Sequence, residues 1–513
     1  MSIYEAIGER DGRRVLSLTN PTTMKPSGEL VCASKDDVIA AVKKARAAQP
    51  AWAALPIKER AKYMEAAIKV ILEMQDEIIE TVVGETGKAY NDAFSMEVWA
   101  ACDSLRYYAK NTEKFLSPQK CKVHGMLGFM KKVKILYQPL GVAGIIVPWN
   151  GPFILGINPV VQALMAGNAA IVKGSEVTPY STKLAEKVFK KAGLPDGLVQ
   201  VLMGDGATGA ALCESGVDKI AFTGSVNTGR KVATVCAQQL ISCTLELGGK
   251  DAMIVCADAN IERAATGAVM GSCMNTGHYC CGTERIYVVE GVYDEFVAKV
   301  TEKTAALRQG SGDEEEDVGA VFWDKQMDII ERHIDDAKAK GASITTGGNR
   351  ADIPGLYFQP TVLTNVNHDM LIMREETFGP IVCVQKVKDE DEAIQMANDS
   401  EYGLSGNIWT NDDAKAERLA AVMQTGSVSI NDMACTYGVP QAPFGGVKDS
   451  GLGRVNGETG VRGYCHTKPI IIDKSGKKDQ PGAAYPYSKE KTAGMKKALN
   501  FLWGGNKIGY WLS

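Results

Sequence analysis

Short apolar runs alternate with amphipathic segments along the stretch from Gly141 to Leu247. Each short apolar run, bounded by turn residues, is typical of a buried strand. The predicted strands are Val142–Val147, Ala169–Lys173, Leu198–Leu202, Lys219–Phe222 and Cys243–Leu247, and the predicted helices lie near 155–166, 179–192, 206–214 and 228–239. Strands that alternate with helices at this rhythm indicate a Rossmann-like, doubly wound parallel sheet, which binds ligands at the carboxyl ends of its strands.

A second α/β series follows from Gly248 to about Gly445, with predicted strands near 252–256, 285–289, 359–363 and 381–386. Before both series, residues 35–120 carry apolar residues at three- and four-residue intervals among charges, which is typical of amphipathic helices. We interpret most of those charges as solvated helix faces. The predicted helices are Lys35–Ala48, with Ser34 as its N-cap, Ile57–Met74 and Met96–Tyr108.

Two segments outside the α/β series are candidates for contact with a partner subunit or a surface. Met130–Tyr137 indicates an exposed or edge strand and is a candidate oligomer contact. The C-terminal tail is interpreted as docking on its own protein or a partner subunit; the alternative is an anchor to a membrane surface or partner, because exposed Trp beside Lys suits an interface. Its apolar residues are Met495, Leu499 and Leu502 on one helical face beside Lys496 and Lys497, then Trp503, Ile508, Tyr510, Trp511 and Leu512.

Composition limits the functional classes. A net charge of −4 over 513 residues lacks the basic footprint of nucleic-acid binding. The five histidines are scattered, so no metal site is predicted. The 13 cysteines show no framework spacing and are interpreted as reduced thiols of a cytoplasmic enzyme. The N-terminus lacks the apolar core of a signal peptide, and no run approaches the ~20 apolar residues that span a bilayer.

The candidate nucleophile is Cys280, which follows a glycine-containing turn and precedes the strand-like run Ile286–Val289. A thiol there can lie at the bottom of a cleft with its sulfur accessible, as a thiolate that attacks a carbonyl carbon requires. The alternative is a buried, inert thiol, because free cysteine usually behaves as a small hydrophobe.

Three other stretches carry candidate chemistry. The turn Phe222–Gly229 follows a strand and opens a helix, so it can approach a phosphate or be an ordinary tight turn. Glu246 lies in an apolar stretch, where burial suits a general base; a salt bridge to Lys250 is the structural alternative. Asn150 follows a strand and can donate to an oxyanion, or it can form an Asx-type turn.

Over roughly residues 15–470 the sequence resembles the NAD(P)-dependent aldehyde dehydrogenases. The shared motifs are VPWN at 147–150, VKGSE at 172–176, FTGS at 222–225, LELGGK at 245–250, the GxxC turn at 277–280, EETFGP at 375–380 and PFGGVKDSGLGR at 443–454. The resemblance implies that Cys280 forms a thiohemiacetal and then a thioester, that Asn150 and the Cys280 N–H hold the oxyanion, and that Glu246 activates the hydrolytic water.

The resemblance also implies the cofactor contacts. Ser225 is similar to the pyrophosphate contact, Lys173 and Glu176 to the adenosine-ribose contacts, and Glu376 and Phe378 to the nicotinamide-ribose contacts. Further expected contacts are Pro148, Trp149, Gly224, Gly229 and Leu247. Because a carboxylate accepts bonds from ribose hydroxyls but repels a 2′-phosphate, Glu176 predicts NAD over NADP.

The implied architecture assigns the chain to four parts. These are an NAD-binding domain (1–121 and 141–247), a catalytic domain (248–459), a small β oligomerisation arm (122–140 and 460–474) and a C-terminal extension (475–513). A homodimer or homotetramer is expected.

Three positions depart from the common family pattern: His278 stands where glutamine is frequent, Cys281 follows the nucleophile, and Gly151 replaces a residue that is often aromatic, which widens the substrate tunnel. A lining of Tyr279, Phe153, Met433 and Tyr437 fits a medium-chain or aromatic aldehyde. A vicinal disulfide between Cys280 and Cys281 is not favoured.

Four alternative functions stay open. They are a succinate-semialdehyde-like dehydrogenase, a CoA-acylating relative, a non-catalytic protein with this fold and a cysteine hydrolase. Glu246 argues against the acylating route, which needs no water-activating base, and the intact set of Cys280, Glu246 and Asn150 argues against a non-catalytic protein. A hydrolase would lack a His/Asn partner.

Overall fold

A computed structural model describes the chain at residues 2–125, 127–433, 435–477, 485–505 and 507. The chain forms two compact units, the larger from Met1–Thr112 with Leu140–Tyr464 and the smaller from Glu113–Pro139 with Cys465–Ser513. No helix among the described residues is long and apolar enough to cross a bilayer.

The described residues form strands that we number in chain order. They are β1 Tyr4–Arg10, β2 Arg13–Thr19, β3 Pro26–Val31, β4 Gln119–Cys121, β5 Lys131–Pro139, β6 Val142–Ile146, β7 Ala169–Lys173, β8 Val199–Leu202, β9 Lys219–Thr223, β10 Ser242–Glu246, β11 Asp251–Val255, β12 Thr283–Val289, β13 Ser343–Thr346, β14 Thr361–Thr364, β15 Ile381–Val387, β16 Gly406–Trp409, β17 Ser429–Ile430, β18 Gly451–Leu452 and β19 Cys465–Asp473.

The helices of the same residues are numbered in the same way. They are α1 Lys35–Ala54, α2 Ile57–Glu73, α3 Gln75–Thr86, α4 Tyr90–Asp92, α5 Ala100–Leu116, α6 Leu127–Met130, α7 Ile154–Met165, α8 Pro179–Lys191, α9 Gly206–Glu214, α10 Val226–Gln239, α11 Ile261–Cys273, α12 Glu290–Ala305, α13 Asp324–Ala339, α14 Leu371–Arg374, α15 Glu390–Asn398, α16 Asp413–Val422, α17 Cys435–Gly438, α18 Gly457–Arg462 and α19 Lys489–Trp503.

The first predicted α/β series forms a six-stranded sheet in the order β18-β10-β9-β6-β7-β8. Strands β6 to β10 are parallel, and the short β18 pairs antiparallel with β10 at the edge. Every residue of β6 and β7 is buried, as expected for parallel strands covered on both faces. The predicted Rossmann-like fold class is confirmed.

The second series forms a seven-stranded sheet in the order β13-β14-β15-β12-β11-β16-β17, in which β13 is antiparallel to its neighbour and the other pairs are parallel. Both sheets belong to the larger unit, together with the antiparallel sheet β1-β2-β3. The proposed boundary at residues 247/248 separates the main strands of the two sheets, although β18 from the second segment joins the first sheet.

The N-terminal helices differ from the prediction in two places. Helix α1 continues to Ala54 although it contains Pro50, and Ser34 caps it in a capping box with Asp37. The third predicted helix is preceded by a π-helical turn, Ala93–Trp99, before α5 begins at Ala100. Apolar periodicity could not reveal this turn, because a π-bulge shifts the register by one residue without changing residue types.

The smaller unit contains a three-stranded antiparallel sheet in the order β19-β5-β4. The edge interpretation of the strand predicted near Met130–Tyr137 is wrong, because β5 is the central strand of this sheet and pairs with β19 along nine residues. Its role as an oligomerisation arm stays a prediction. Helix α19 follows, and the predicted apolar residues Ile508, Tyr510, Trp511 and Leu512 lie outside the described residues.

Candidate active site

The turn that carries Cys280 has a constrained backbone. Helix α11 ends at Cys273, and a 3-10 turn follows in which Asn275 and Thr276 have φ values of 55° and 58°. Gly277 has φ +74°, and a Cβ on it would lie 2.0 Å from the Gly379 carbonyl oxygen. Positive φ at a β-branched threonine is rare and marks a backbone held by its surroundings.

The structure brings the three predicted catalytic residues together. Cys280, Glu246 and Asn150 line one cavity of about 660 Å³ in the larger unit. Asn150 follows strand β6, and Glu246 is the last residue of strand β10. The carboxyl ends of these parallel strands lie at one edge of the sheet. Cys280 approaches that edge from the turn before β12.

The Asn150 amide is held by the cysteine turn. Its Nδ2 donates to the His278 carbonyl oxygen at 3.1 Å, and the Asn150 carbonyl accepts from Asn275 Nδ2 at 3.0 Å. Asn275 Nδ2 also donates to the His278 carbonyl at 2.8 Å, and the Asn275 N–H donates to Asp92 Oδ2 at 2.8 Å. The amide position and the cysteine turn are therefore coupled directly.

Glu246 is a buried carboxyl without a hydrogen-bond partner. Among the described residues neither of its oxygens is bonded, and only 6% of the residue is exposed. Burial raises its pKa well above the usual range, although the Arg454 charge opposes the shift. The salt bridge to Lys250 is absent, because Lys250 Nζ donates to Glu284 Oε2 at 2.5 Å and to Thr377 Oγ1 at 3.0 Å.

The pKa of the Cys280 thiol is raised above its usual range. Its hydrogen bond with the Cys281 side chain is the largest cause, followed by burial and by the charges of Cys281, Glu246 and Asp251. Cys281 itself is buried in a cluster with Leu404 and other apolar residues, and both thiols are free. A thiol must lose its proton before it can act as a nucleophile, and the raised pKa of Cys280 makes that loss less favourable.

Most predicted cofactor residues line the same cavity as Cys280. These residues are Pro148, Trp149, Gly224, Ser225, Leu247, Glu376 and Phe378. Ser225 caps α10, where its Oγ accepts from the Thr228 N–H at 3.4 Å, and the helix N-terminus favours an anionic group. Gly229 lies behind the lining: a Cβ there would lie 2.5 Å from Leu247, so the glycine lets α10 approach that side chain.

Lys173 and Glu176 do not line this cavity. Lys173 ends β7 with a buried side chain, and its Nζ donates to Glu176 Oε2 at 3.1 Å. Tyr4 OH donates to Glu176 Oε1 at 3.5 Å. Lys173 and Glu176 therefore lie at the carboxyl end of β7. This strand is the neighbour of β6, and β6 is the strand that precedes Asn150.

The loop that carries Glu376 and Phe378 is fixed by Glu284, which the sequence did not single out. Glu284 accepts from the Thr377 N–H at 2.8 Å and the Phe378 N–H at 2.9 Å. The Gly249 N–H donates to Glu376 Oε1 at 2.9 Å. Burial, with the Glu284 charge adding to it, raises the Glu376 pKa to about 8. The Lys250–Glu284 ion pair therefore supports this cofactor loop.

The sequence interpretation also missed the buried ion pair of Lys88 and Glu97. Both side chains are fully buried, with Lys88 Nζ 2.7 Å from Glu97 Oε1, so these two charges are exceptions among the charges of residues 35–120, most of which were predicted to be solvated. Glu97 Oε2 also accepts from the N–H groups of Phe153 and Ile154 at the start of α7. The sequence signal was weak, because a charge in an amphipathic segment is usually exposed.

The predicted substrate lining is partly wrong. Tyr279 and Tyr437 line the cavity, whereas Phe153 and Met433 are buried in the core and do not. The lining instead includes Met96, Leu155, Val439, Phe444 and Val455.

One cluster among the described residues has metal-binding side chains, Cys256, Asp258 and Glu390. The Lys415 ammonium already pairs with both carboxylates, at 3.0 Å and 3.2 Å.

The family model for the aldehyde dehydrogenase family matches residues 8–470. The chain belongs to the aldehyde dehydrogenase family. It is an oxidoreductase that acts on aldehydes. A Mycolicibacterium smegmatis relative, provisionally named a succinate-semialdehyde dehydrogenase [NADP(+)], is 38% identical over 93% of this chain and 92% of its own length. The 4,4'-diapolycopene aldehyde oxidase of a Methylomonas species is 39% identical over 91% of this chain and 87% of its own length.

Solved aldehyde dehydrogenases share the fold. The Mycobacterium tuberculosis aldehyde dehydrogenase complexed with NAD+ has a TM-score of 0.85 at 34% identity, covering 92% of this chain and 96% of that one. The NAD+ complex of the aldehyde dehydrogenase from Bacillus cereus has a TM-score of 0.85 at 33% identity, covering 90% and 93%.

Proposed function

We propose that this aldehyde dehydrogenase oxidises an apolar aldehyde to the carboxylic acid with NAD, through a covalent thioester on Cys280. The observation that carries the proposal is the shared cavity of Cys280, Asn150 and Glu246, in which Glu246 is buried and has no hydrogen-bond partner among the described residues. A thiol, an amide donor and an unpaired carboxyl are the groups that acylation and deacylation of a cysteine require.

In the first half of the reaction the Cys280 sulfur attacks the aldehyde carbon and forms a thiohemiacetal. Asn150 Nδ2 and the Cys280 N–H are the donors for the oxygen that becomes negative. Because the thiol has a raised pKa, its proton passes to Glu246, the carboxyl that lines the same cavity, and Glu246 releases it to solvent before deacylation begins. A bound nicotinamide supplies the hydride acceptor, and loss of hydride from the thiohemiacetal leaves the thioester.

In the second half Glu246 takes a proton from water as the water attacks the thioester carbon. The Cys280 thiolate then leaves and the carboxylic acid is released. Burial raises the Glu246 pKa, which makes the carboxylate a stronger base than an exposed glutamate. A CoA-acylating enzyme would not need this base.

The residues present fit a dinucleotide. Gly224 and Ser225, at the N-terminus of α10, line the same cavity as Trp149 and Cys280. The helix terminus suits the pyrophosphate, and the Glu376 carboxyl group, which can accept or donate, suits ribose hydroxyls. Glu176 supports NAD, because its carboxylate would repel a 2′-phosphate. Two solved neighbours contain NAD+, and the Mycolicibacterium relative is named as NADP(+)-dependent; steady-state kinetics with both cofactors decide between them.

The cavity chemistry supports an apolar substrate. The side chains that line it in the described part of the chain include no Lys, Arg or His, so nothing there pairs with the carboxylate of a succinate semialdehyde. Met96, Leu155 and Val439 instead provide apolar contact. One relative is named for a diapolycopene aldehyde, which is an apolar polyene. The semialdehyde alternative rests on the name of the Mycolicibacterium relative.

Single-turnover and steady-state kinetics of Cys280→Ala and Glu246→Gln test the mechanism. We expect Cys280→Ala to abolish NADH formation while NAD binding persists, and Glu246→Gln to form about one NADH per site and then stall. Cys213→Ala, at a buried free cysteine outside the cavity lining, and the exposed-residue variant Glu262→Gln are the matched controls and should keep most activity. Fast steady-state turnover by Glu246→Gln would show that Glu246 is not the general base. Acyl-CoA as the main product would favour the acylating alternative.

A further inference from the structure

The last 49 residues differ in charge from the rest of the chain. They contain nine lysines and three acidic residues, whereas the whole protein has 57 basic and 61 acidic residues. The C-terminal segment is thus strongly basic on a chain that is otherwise acidic. Such an asymmetry points to a negatively charged partner for this segment.

Exposed apolar side chains are concentrated in the same segment. The exposed fractions of Met495, Leu499 and Trp503 are 61%, 56% and 64%. These residues are four positions apart in α19 and therefore form one continuous stripe. Leu502 was predicted on the same face, but it is buried. The exposed stripe therefore consists of Met495, Leu499 and Trp503. Leaving three large apolar side chains in water is unfavourable, which indicates that something covers the stripe.

Lysines flank this stripe. On the helix, Lys491 lies one turn before Met495 at one border, and Lys496 lies at the other border. Lys489 and Lys497 are exposed farther round the helix, whereas Glu490 is its one acidic residue. Tyr485 and Tyr487 are 76% and 71% exposed just before the helix, so aromatic rings precede it and Trp503 ends it.

We propose that α19 docks on an anionic lipid bilayer, with the Met495–Leu499–Trp503 stripe inserted among the acyl chains and the lysines at the headgroups. Lysine is depleted in the cores of protein–protein interfaces, but it is enriched beside the apolar face of surface-bound helices, where its stem reaches the headgroups. Tyrosine and tryptophan favour the same depth. A second copy of this chain is therefore the weaker occupant.

The helix lies in the plane of the bilayer surface and does not cross it. It has 15 residues, fewer than the ~20 that span the hydrocarbon core. Ser488 caps it, with the Ser488 Oγ accepting from the Lys491 N–H at 3.1 Å, so its first turn is stabilised within the chain. Anionic lipid then supplies the charge attraction that a short apolar stripe needs for stable binding.

Co-sedimentation of the full-length enzyme with vesicles tests this proposal. The probes are vesicles of phosphatidylcholine alone and of phosphatidylcholine with about 30% phosphatidylglycerol. We expect at least tenfold stronger partitioning to the anionic vesicles, a loss of this difference in high salt, and a blue shift of tryptophan emission that Trp503→Ser removes.

Two tail variants and one control complete the test. The triple variant Met495→Ser, Leu499→Ser, Trp503→Ser should lose binding to anionic vesicles at least tenfold, as should the variant with Lys489, Lys491, Lys496 and Lys497 all changed to Gln. Leu240→Ser, at an exposed leucine elsewhere, should bind as the wild type does. All should oxidise a water-soluble aldehyde at the wild-type rate, so failure of the proposed function is measured separately. Equal vesicle binding by the triple variant, or a triple variant that changes only the oligomeric state, overturns the proposal.

Discussion

Lys88 Nζ donates to the backbone carbonyl oxygen of Asn150 at 3.1 Å from a position with no solvent exposure. The same ammonium is paired with Glu97, whose other oxygen accepts from two N–H groups at the start of α7, immediately after the Asn150 loop. The pair therefore fixes both sides of the loop that presents the proposed oxyanion donor. We infer that Lys88 and Glu97 are positioning residues for Asn150.

Removing one partner of this pair should affect both stability and catalysis. We expect Lys88→Met to lower the free energy of unfolding by about 3 kcal/mol, because it leaves Glu97 as an uncompensated buried charge. A shift of the amide by about 1 Å should lower kcat about 100-fold with a smaller change in KM. Stopped-flow measurement of NADH formation, together with denaturant unfolding, checks both effects.

The double variant Lys88→Met, Glu97→Leu separates positioning from stability. Replacing a buried ion pair with apolar residues is often neutral for stability, so its free energy of unfolding should recover. The rate of NADH formation should stay low, because the bonds to the Asn150 loop are still missing. If activity recovers with stability, the pair has only a structural role.

Glu176 should control the choice of cofactor. We expect Glu176→Gln to raise the ratio of kcat/KM with NADP to that with NAD at least tenfold, because it removes the negative charge that would repel a 2′-phosphate while Lys173 stays beside it. Steady-state kinetics with both cofactors measure this ratio. The exposed Glu214, changed to Gln, is the control and should leave the ratio unchanged. If Glu176→Gln leaves the ratio of kcat/KM with NADP to that with NAD unchanged, other residues determine the cofactor preference.

The strands could be predicted because their apolar runs are continuous and their bounds are set by turn residues. Strand β7 begins and ends where the sequence predicted, β6, β8 and β9 differ by one residue at one end, and β10 is shifted by one residue at both ends. Asn150 and Glu246 could be placed near each other for the same reason, since the ends of neighbouring parallel strands meet at one edge.

The supporting residues could not be predicted, because their burial depends on partners far along the chain. Lys88 contacts a loop 62 positions away, and Glu284 accepts from N–H groups 93 and 94 positions away. In the sequence such residues resemble the exposed charges of any amphipathic segment. The error at Met433 has a similar origin: it is close in sequence to Tyr437, which lines the cavity, but it packs into the core beside α11.

Gly151 should set the width of the substrate end of the cavity. A Cβ there would lie 3.3 Å from Ile154 Cγ2 and 3.5 Å from Leu155, and the residue does not have a positive φ, so a side chain needs only a shift of a few tenths of an ångström in the Ile154 side chain. A phenylalanine ring would then extend into the space beside Leu155. We expect Gly151→Phe to raise KM at least tenfold for a long apolar aldehyde and to change it little for propanal.

The matched control at this position is Gly151→Ala, which adds only the Cβ and should resemble the wild type with both aldehydes. Steady-state kinetics over a series of straight-chain aldehydes gives the comparison. An equal effect of Gly151→Phe on short and long aldehydes would show that the substrate chain does not pass this residue.

His278 should make the protein sensitive to acid. The ring is fully buried against Phe322 and Trp149, with centroid distances of 4.3 Å and 5.0 Å, and neither of its nitrogens is bonded to another described residue. Burial lowers its pKa to about 3, and the Lys88 charge adds to this shift. The folded state therefore disfavours a proton that the unfolded chain binds near its ordinary pKa of about 6.5.

Because the folded pKa is the lower one, this cost is absent above about pH 6.5 and grows as the pH falls towards 3. At about pH 4.5 it should reach about 2 to 3 kcal/mol. Relative to the wild type, His278→Gln should therefore gain that amount between about pH 7 and pH 4.5 in urea unfolding, since its amide does not titrate. Leu240→Ser, at an exposed residue that does not titrate, is the control, and its difference from the wild type should not vary with pH. A pH-independent difference for His278→Gln would mean that the ring accepts a proton in the folded enzyme as readily as in the unfolded chain.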